Sequence, residues 1–342
     1  MRSSAKEALF WILALAIVFI CAVASHGQQF TMTEVALGQA FFHDTRLSAD
    51  GTVSCATCHQ PSRGMSDGLP RARGILGQEG QFNTPTIFTA PYHPLQFWDG
   101  RTTGIDTQAL QPLVNPIEMG NDTVDQALGR IAGVPLYRAA FRRIYGDDRF
   151  TQARFARAVS AYQLSVLGQR TKLDQRMAGY TRALSPSAER GYAVFNRLQC
   201  ASCHAPGLYT DRGFHNTGVT WMIRERDFVT GDPELGRLDV LPAGSDLTSE
   251  TVRAWKTPTL RGIDRSAPYT HAGVVPTLEA QVDLYARAFA RDNGDIDPYI
   301  DPRILAIARA RPTAQERRDL VRFLREGFSM QDSYRFGTPY RP

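Results

Sequence analysis

Lysine is almost missing from this chain. Of 39 basic residues only Lys6, Lys172 and Lys256 are lysines, and the rest are arginine. The formal net charge of +5 is a mild excess that does not point to nucleic acid as a partner. Cysteine is scarce as well, with 5 in 342 residues. The four that follow the N-terminal segment fall into two tight pairs, so none is left over for a structural disulfide. Charged residues make up only 21% against 43% hydrophobic, which excludes disorder and fits a folded protein with room for two domains. Glycine (28) and proline (20) are plentiful and predict long irregular loops between helices.

The first residues read as a targeting segment. Arg2 and Lys6 precede an apolar run from Ala8 to Ala24, which ends in the small-x-small sequence Ala22-Val23-Ala24. Residues 1–24 are therefore expected to be a secretory signal peptide that directs the protein to the periplasm. An uncleaved anchor is the alternative, because the run is long for a signal. Cys21 lies inside the run behind bulky Phe19 and Ile20, a poor lipidation site, and is expected to leave with the signal. The formal charge then falls from +5 to +4, as Arg2, Lys6 and Glu7 leave together.

The remaining cysteines stand in Cys55-Ala56-Thr57-Cys58-His59 and Cys200-Ala201-Ser202-Cys203-His204. Both fit Cys-x-x-Cys-His, the attachment pattern of c-type haem. Two thiols at this spacing reach the two vinyl groups on one edge of a porphyrin, and the next imidazole is then held under the iron. A zinc site built from four thiolates, or a pair of redox dithiols, is the competing reading. Neither explains why a histidine follows each pair at once. His26, His43, His93, His215 and His271 are conceivable further iron ligands, but spacing selects none of them.

The approaches to the two motifs resemble one another. The first runs Glu34, Gly38, Phe41 and the second Glu189, Gly191, Phe195. Each half then reads as a helix, a haem motif, loops and further helices, a weak repeat of a one-haem unit. Phe155, Val159, Tyr162 and Val166 recur at helical spacing and should pack between or behind the units. Thr313 and Glu316 form a capping box ahead of an apolar stripe of Leu320, Phe323 and Leu324. Residues 60–121 carry little helical pattern, and an irregular stretch of that length is usually functional.

The phrases around these motifs resemble the bacterial di-haem cytochrome c peroxidase family, which includes MauG. They are Asp44 to Ser48 (DTRLS), Asn83 to Thr86 (NTPT), Phe97 to Arg101 (FWDGR), Asn115 to Met119 (NPIEM), Phe214 to Gly218 (FHNTG), Thr257 to Arg261 (TPTLR) and Ala267 to Tyr269 (APY). The resemblance implies a mainly α fold of two cytochrome c-like domains, each with one covalently bound haem and long loops. The N-terminal domain would span 30–170 and the C-terminal domain 171–330. It implies a peroxidatic haem on His59, an electron-transfer haem on His204 and Trp98 between them. Glu118 would be the distal acid, with Gln108 and Pro112 lining the same pocket. A carboxylate raised toward neutrality by burial could take a proton from peroxide and return it to the leaving oxygen. Asn83, Ser266 and Pro268 match positions that hold a calcium ion, the last two through backbone carbonyls.

Two departures bear on subtype. Standard peroxidases cap the first haem with a loop histidine eight residues before the Asn of NTPT, where this chain has Ile75. They ligate the second haem with a methionine 17 residues after the proline of APY, where this chain has Tyr285, as MauG-type enzymes do. The first haem is therefore expected to be open, and the second to be poised by a phenolate ligand. Alternatively, Tyr285 is one apolar face of a helix with Val282 and Phe289. The expected activity is peroxide reduction by a cytochrome c peroxidase homologue, fed by a small periplasmic cytochrome c or cupredoxin. The alternatives are MauG-like oxidation of a partner protein's side chains and a non-catalytic electron-transfer cytochrome.

Overall fold

The computed structural model describes residues 32–166, 170–223 and 235–330. The expected signal peptide, with Cys21, lies outside them. No helix among the described residues is long and apolar enough to cross a membrane. The chain is mainly helical. Among the described residues nine helices have six or more residues: α1 Met32–Phe42, α2 Val124–Ala132, α3 Pro135–Tyr145, α4 Gln152–Val166, α5 Lys172–Met177, α6 Pro186–Arg197, α7 Leu278–Ala286, α8 Pro302–Arg309 and α9 Ala314–Gly327. Strand among the described residues is confined to two antiparallel two-residue pairs, Leu95–Gln96 with Thr102–Thr103 and Phe214–His215 with Trp255–Lys256.

The sequence likeness of the two halves has a structural counterpart. In the first half α1 crosses α4, and in the second α6 crosses α9. Each crossing turns on one glycine. A Cβ added at Gly38 would fall 1.8 Å from Ala158 O, and one at Gly191 would fall 2.0 Å from Asp319 O. Only hydrogen in place of a side chain lets the helix backbones approach this closely. Phe41 and Phe155 are completely or almost completely buried at the first crossing, with ring centroids 5.2 Å apart. Phe195 and Phe323 meet at 5.3 Å at the second. Burying one such ring contributes about 1.5–3 kcal/mol.

Helix α4 departs from its expected place. Its stripe of Phe155, Val159, Tyr162 and Val166 is buried in the core of the first half, against α1, not between the halves. Helix α9 begins as expected, with Thr313 Oγ1 accepting from Glu316 N at 3.2 Å and Glu316 accepting from Thr313 N at 2.8 Å. Leu320, Phe323 and Leu324 then enter the second core with Phe195 and Phe328. Residues 59–104 hold no helix longer than three residues and wrap the junction between the two cores as turns and one hairpin.

Candidate functional site

Both Cys-x-x-Cys-His motifs are wound into single turns, and the winding places the histidines alike. Cys55–Cys58 is one helical turn, tied by Ser54 N donating to Thr57 Oγ1 at 3.0 Å. His59 N closes on Cys55 O at 2.8 Å, and His204 N closes on Cys200 O at 2.9 Å. His59 Nδ1 lies 3.0 Å from Met65 O, and His204 Nδ1 lies 3.2 Å from Tyr209 O. A carbonyl can only accept, so each Nδ1 carries the proton and each Nε2 keeps a free lone pair for a metal. Burial holds both imidazoles below their ordinary pKa, hence neutral. It also pushes the Cys55, Cys58 and Cys200 thiols up to about 12. Activated redox thiols are shifted the other way, so the dithiol reading loses its support.

The two motifs face different cavities. A cavity of about 550 Å³ is lined by Cys55, Cys58, His59, Trp98, Gln108 and Glu118, with Pro112 beside them. A narrower one of about 200 Å³ is lined by Cys200, Cys203, His204 and Tyr285. Four thiols divided between two cavities do not make one zinc site. Each cavity instead presents the donor set of a c-type haem: two thiols, an imidazole with a free Nε2 and a largely apolar wall.

Glu118 is held by its own turn. Asn115 Oδ1 accepts from Ile117 N at 2.9 Å and Glu118 N at 3.3 Å, while Asn115 Nδ2 donates to Glu118 Oε1 at 2.9 Å. An asparagine that bonds the backbone two residues on is a local turn former, which is why Asn-Pro opens this phrase. Burial raises the Glu118 carboxyl above the ordinary range, and Arg101 offsets part of that rise. The position of the absent loop histidine is filled by core. Ile75 is buried, its amide donates to Glu118 O at 3.1 Å, and its neighbour Gly74 forms the cavity wall. A Cβ on Gly74 would fall 1.8 Å from Ile117 O.

Tyr285 on α7 lines the second cavity and also packs edge-on against Phe289 at 5.1 Å. It is thus both part of the apolar face and part of the wall. Burial moves its phenol up from the ordinary tyrosine value. Asn83, Ser266 and Pro268 line the same cavity. Asn83 Nδ2 donates to Leu69 O at 2.7 Å, which turns Oδ1 away as the side chain's remaining acceptor.

Trp98 lines both cavities. It sits on the hairpin loop, where Phe97 takes a positive φ of 65° and Asp99 accepts from Arg101 N at 3.1 Å. Its Nε1 donates to Asn83 O at 2.8 Å, and its carbonyl accepts from Lys256 N at 2.8 Å. Three further residues meet at this junction: Trp255 and Lys256, to which the sequence assigned no role, and His93, one of the histidines that spacing could not single out. Trp255 lines both cavities and stacks on His271, with ring centroids 3.8 Å apart. Lys256 also lines both, and His93 lines the larger. The rarity of lysine was the one signal that could have singled out Lys256.

Beside the second motif, Cys203, Asp211 and His215 place potential ligand atoms within 4.8 Å of one another. His215 is already gripped on both ring nitrogens, by Asp211 at 2.7 Å and Asp301 at 3.0 Å. This leaves it no lone pair to offer a metal.

Comparison with known proteins agrees with this geometry. The family model for di-haem cytochrome c peroxidase matches residues 32–182. The chain is 34% identical over 296 residues to the methylamine utilization protein MauG of Methylorubrum extorquens, covering 86% of this chain and 78% of that protein. It is 33% identical over 257 residues to the cytochrome c peroxidase Ccp of Escherichia coli, covering 74% of this chain and 53% of that protein. The chain thus spans about half the length of the E. coli relative. A crystal structure of a MauG-like protein associated with microbial copper homeostasis has a TM-score of 0.76 at 26% identity, covering 91% of this chain and 94% of that one. A di-haem peroxidase from Burkholderia thailandensis has a TM-score of 0.71 at 24% identity, covering 89% of each chain, a likeness of fold.

Proposed function

The chain belongs to the di-haem cytochrome c peroxidase family of enzymes, and we propose that it is a periplasmic oxidoreductase that consumes hydrogen peroxide at its N-terminal haem. The observation that carries the reading is the division of residues between cavities. Glu118 shares one with Cys55, Cys58 and His59, Tyr285 shares the other with Cys200, Cys203 and His204, and Trp98 lines both. The one-haem units are residues 30–170 and 171–330, each closed by its own glycine-centred helix crossing.

Cys55 and Cys58 would hold one haem through thioether bonds, with His59 Nε2 as iron ligand, and Cys200, Cys203 and His204 would hold the other, with Tyr285 as a further candidate ligand in that cavity. When bound, each haem supplies an iron that exchanges electrons, and the first also supplies a coordination position for peroxide. Glu118 Oε2 takes the proton that peroxide sheds and returns it to the oxygen that leaves as water. Asn115, on Oε1, keeps the carboxyl aimed during both transfers. Pro112 and Gln108 restrict the space around the bound peroxide. Trp98 is the aromatic bridge for electrons between the two cavities. Asn83 Oδ1 and the carbonyls of Ser266 and Pro268 are oxygen donors suited to a calcium ion.

Electrons come from a small periplasmic cytochrome c or cupredoxin. A second reading, oxidation of side chains on a partner protein in the manner of MauG, is favoured by one observation, Tyr285 in the second cavity. Rapid mixing of the fully oxidised two-haem protein with peroxide tests the common core of both. An immediate change in the haem spectrum without prior reduction is expected. A first haem with the low-spin paramagnetic resonance of two axial imidazoles, inert until reduced, would overturn the open-site assignment.

A further inference from the structure

We propose that Lys256 and His93 form a carboxylate-binding pole that the two haem cavities share, with Lys256 as counter-ion to the propionate groups of both haems. The inference rests on the two-haem reading above and adds to it the residues that hold the cofactors' charged edges.

Three observations converge on it. First, Lys256 lines both cavities. Second, its ammonium is poorly served by the protein. Of its three N–H donors, one reaches Leu95 O at 3.2 Å, and no carboxylate pairs with it among the described residues. The acid with the strongest field at this ammonium, Asp99, is already paired to Arg101 at 2.9 Å. The other lysine in the described residues, Lys172, has an acidic partner, Glu326 at 3.5 Å. Third, His93 is 6% exposed and lines the larger cavity, yet its Nδ1 is buried without a hydrogen-bond partner. Its Nε2 faces Thr89 Oγ1 at 3.1 Å, and with that hydroxyl donating, Nδ1 carries the ring proton. Both residues line the larger cavity, and Lys256 Nζ bonds the carbonyl of Leu95, two residues past His93, so the two unused donors come from neighbouring segments.

A buried ammonium and a buried imidazole N–H are both unfavourable unless an acceptor meets them, and both residues line the larger cavity. A haem c carries two propionate carboxylates, which need donors of this kind when taken out of water. One cation placed against both cavities also ties the two redox centres to a common field. Its positive charge favours the reduced state of each iron.

The test uses the full two-haem protein and the variants Lys256→Met, Lys256→Arg and His93→Phe. Haem content is checked first by the pyridine haemochrome assay, and both midpoint potentials are then read by spectroelectrochemical titration. The expected result is that Lys256→Met lowers both potentials while Lys256→Arg restores them. Resonance Raman propionate-bending modes should shift for both haems in Lys256→Arg and for the first haem in His93→Phe. If Lys256→Met loses haem, the Raman modes of the other two variants decide. A shift confined to one haem in Lys256→Arg, unchanged propionate modes, or potentials in Lys256→Arg as low as in Lys256→Met would each overturn the proposal. Failure of the parent protein to bind two haems would instead sink the functional reading.

Discussion

Replacing Glu118 by glutamine keeps the side chain's size and its bond to Asn115 but removes the proton it would move. The carboxyl sits among buried groups that lift it above the ordinary carboxylate range, and one oxygen is fixed at 2.9 Å by Asn115 Nδ2, leaving the other toward the cavity. A positioned acid–base group of this kind contributes about 10²–10⁴-fold, or about 3–5 kcal/mol of barrier. The expected loss in the rate of the peroxide reaction is of that size. Stability should behave oppositely. A folded-state pKa raised by burial favours folding while the group is protonated and loses that advantage as pH rises through the raised value. The neutral isostere therefore should not cost stability at neutral pH. Stopped-flow mixing of oxidised parent and Glu118→Gln with peroxide, across pH, measures the first effect, and thermal melts measure the second. The parent's rate should rise as Glu118 deprotonates, and the variant's should be slow and flat. A variant with both haems in place and the parent's rate and pH profile would refute the assignment.

Three other outcomes follow from the geometry. Gly38→Ala and Gly191→Ala each push a methyl group into a helix carbonyl and should destabilise by about 1–3 kcal/mol or more in urea unfolding. Trp98→Phe should leave the first haem's reaction with peroxide intact but slow the response of the second, read as separated phases in the rapid-mixing trace. Burial alone would raise the Asp174 carboxyl, but Arg261 at 2.7 Å, the Tyr209 hydroxyl at 2.6 Å and the Thr171 amide at 2.8 Å hold it below the ordinary value. Its contribution is present above the unfolded pKa of about 3.9 and is lost as pH falls below that. The melting temperature of Asp174→Asn should therefore be lower at neutral pH and converge with the parent's in acid.

Much of the site was legible because its parts are written locally. Cys-x-x-Cys-His places two thiols and an imidazole within one turn, and the asparagine of the NPIEM phrase builds the turn that holds Glu118 three residues on. The glycines at 38 and 191 were visible as a weak repeat, although their purpose, a backbone contact with a helix more than 100 residues away, was not. Helix α4 shows the limit of periodicity. Its stripe told which face is buried but not that α1 covers it.

The residues whose place at the site emerged only in three dimensions share a feature. Trp255, Lys256 and His93 come from segments that are distant in the chain and meet where the two halves close. The sequence by itself determined the donor sets, the capped helices and the irregular stretch that carries Trp98 and Glu118, since each depends on side chains a few residues apart. Tertiary structure alone decided that the four thiols face separate cavities, that two tryptophans touch both and that a lysine lines both with no acidic partner among the described residues. Those facts depend on which surfaces the folded halves press together, and the free energy of that contact is summed over residues no local pattern connects.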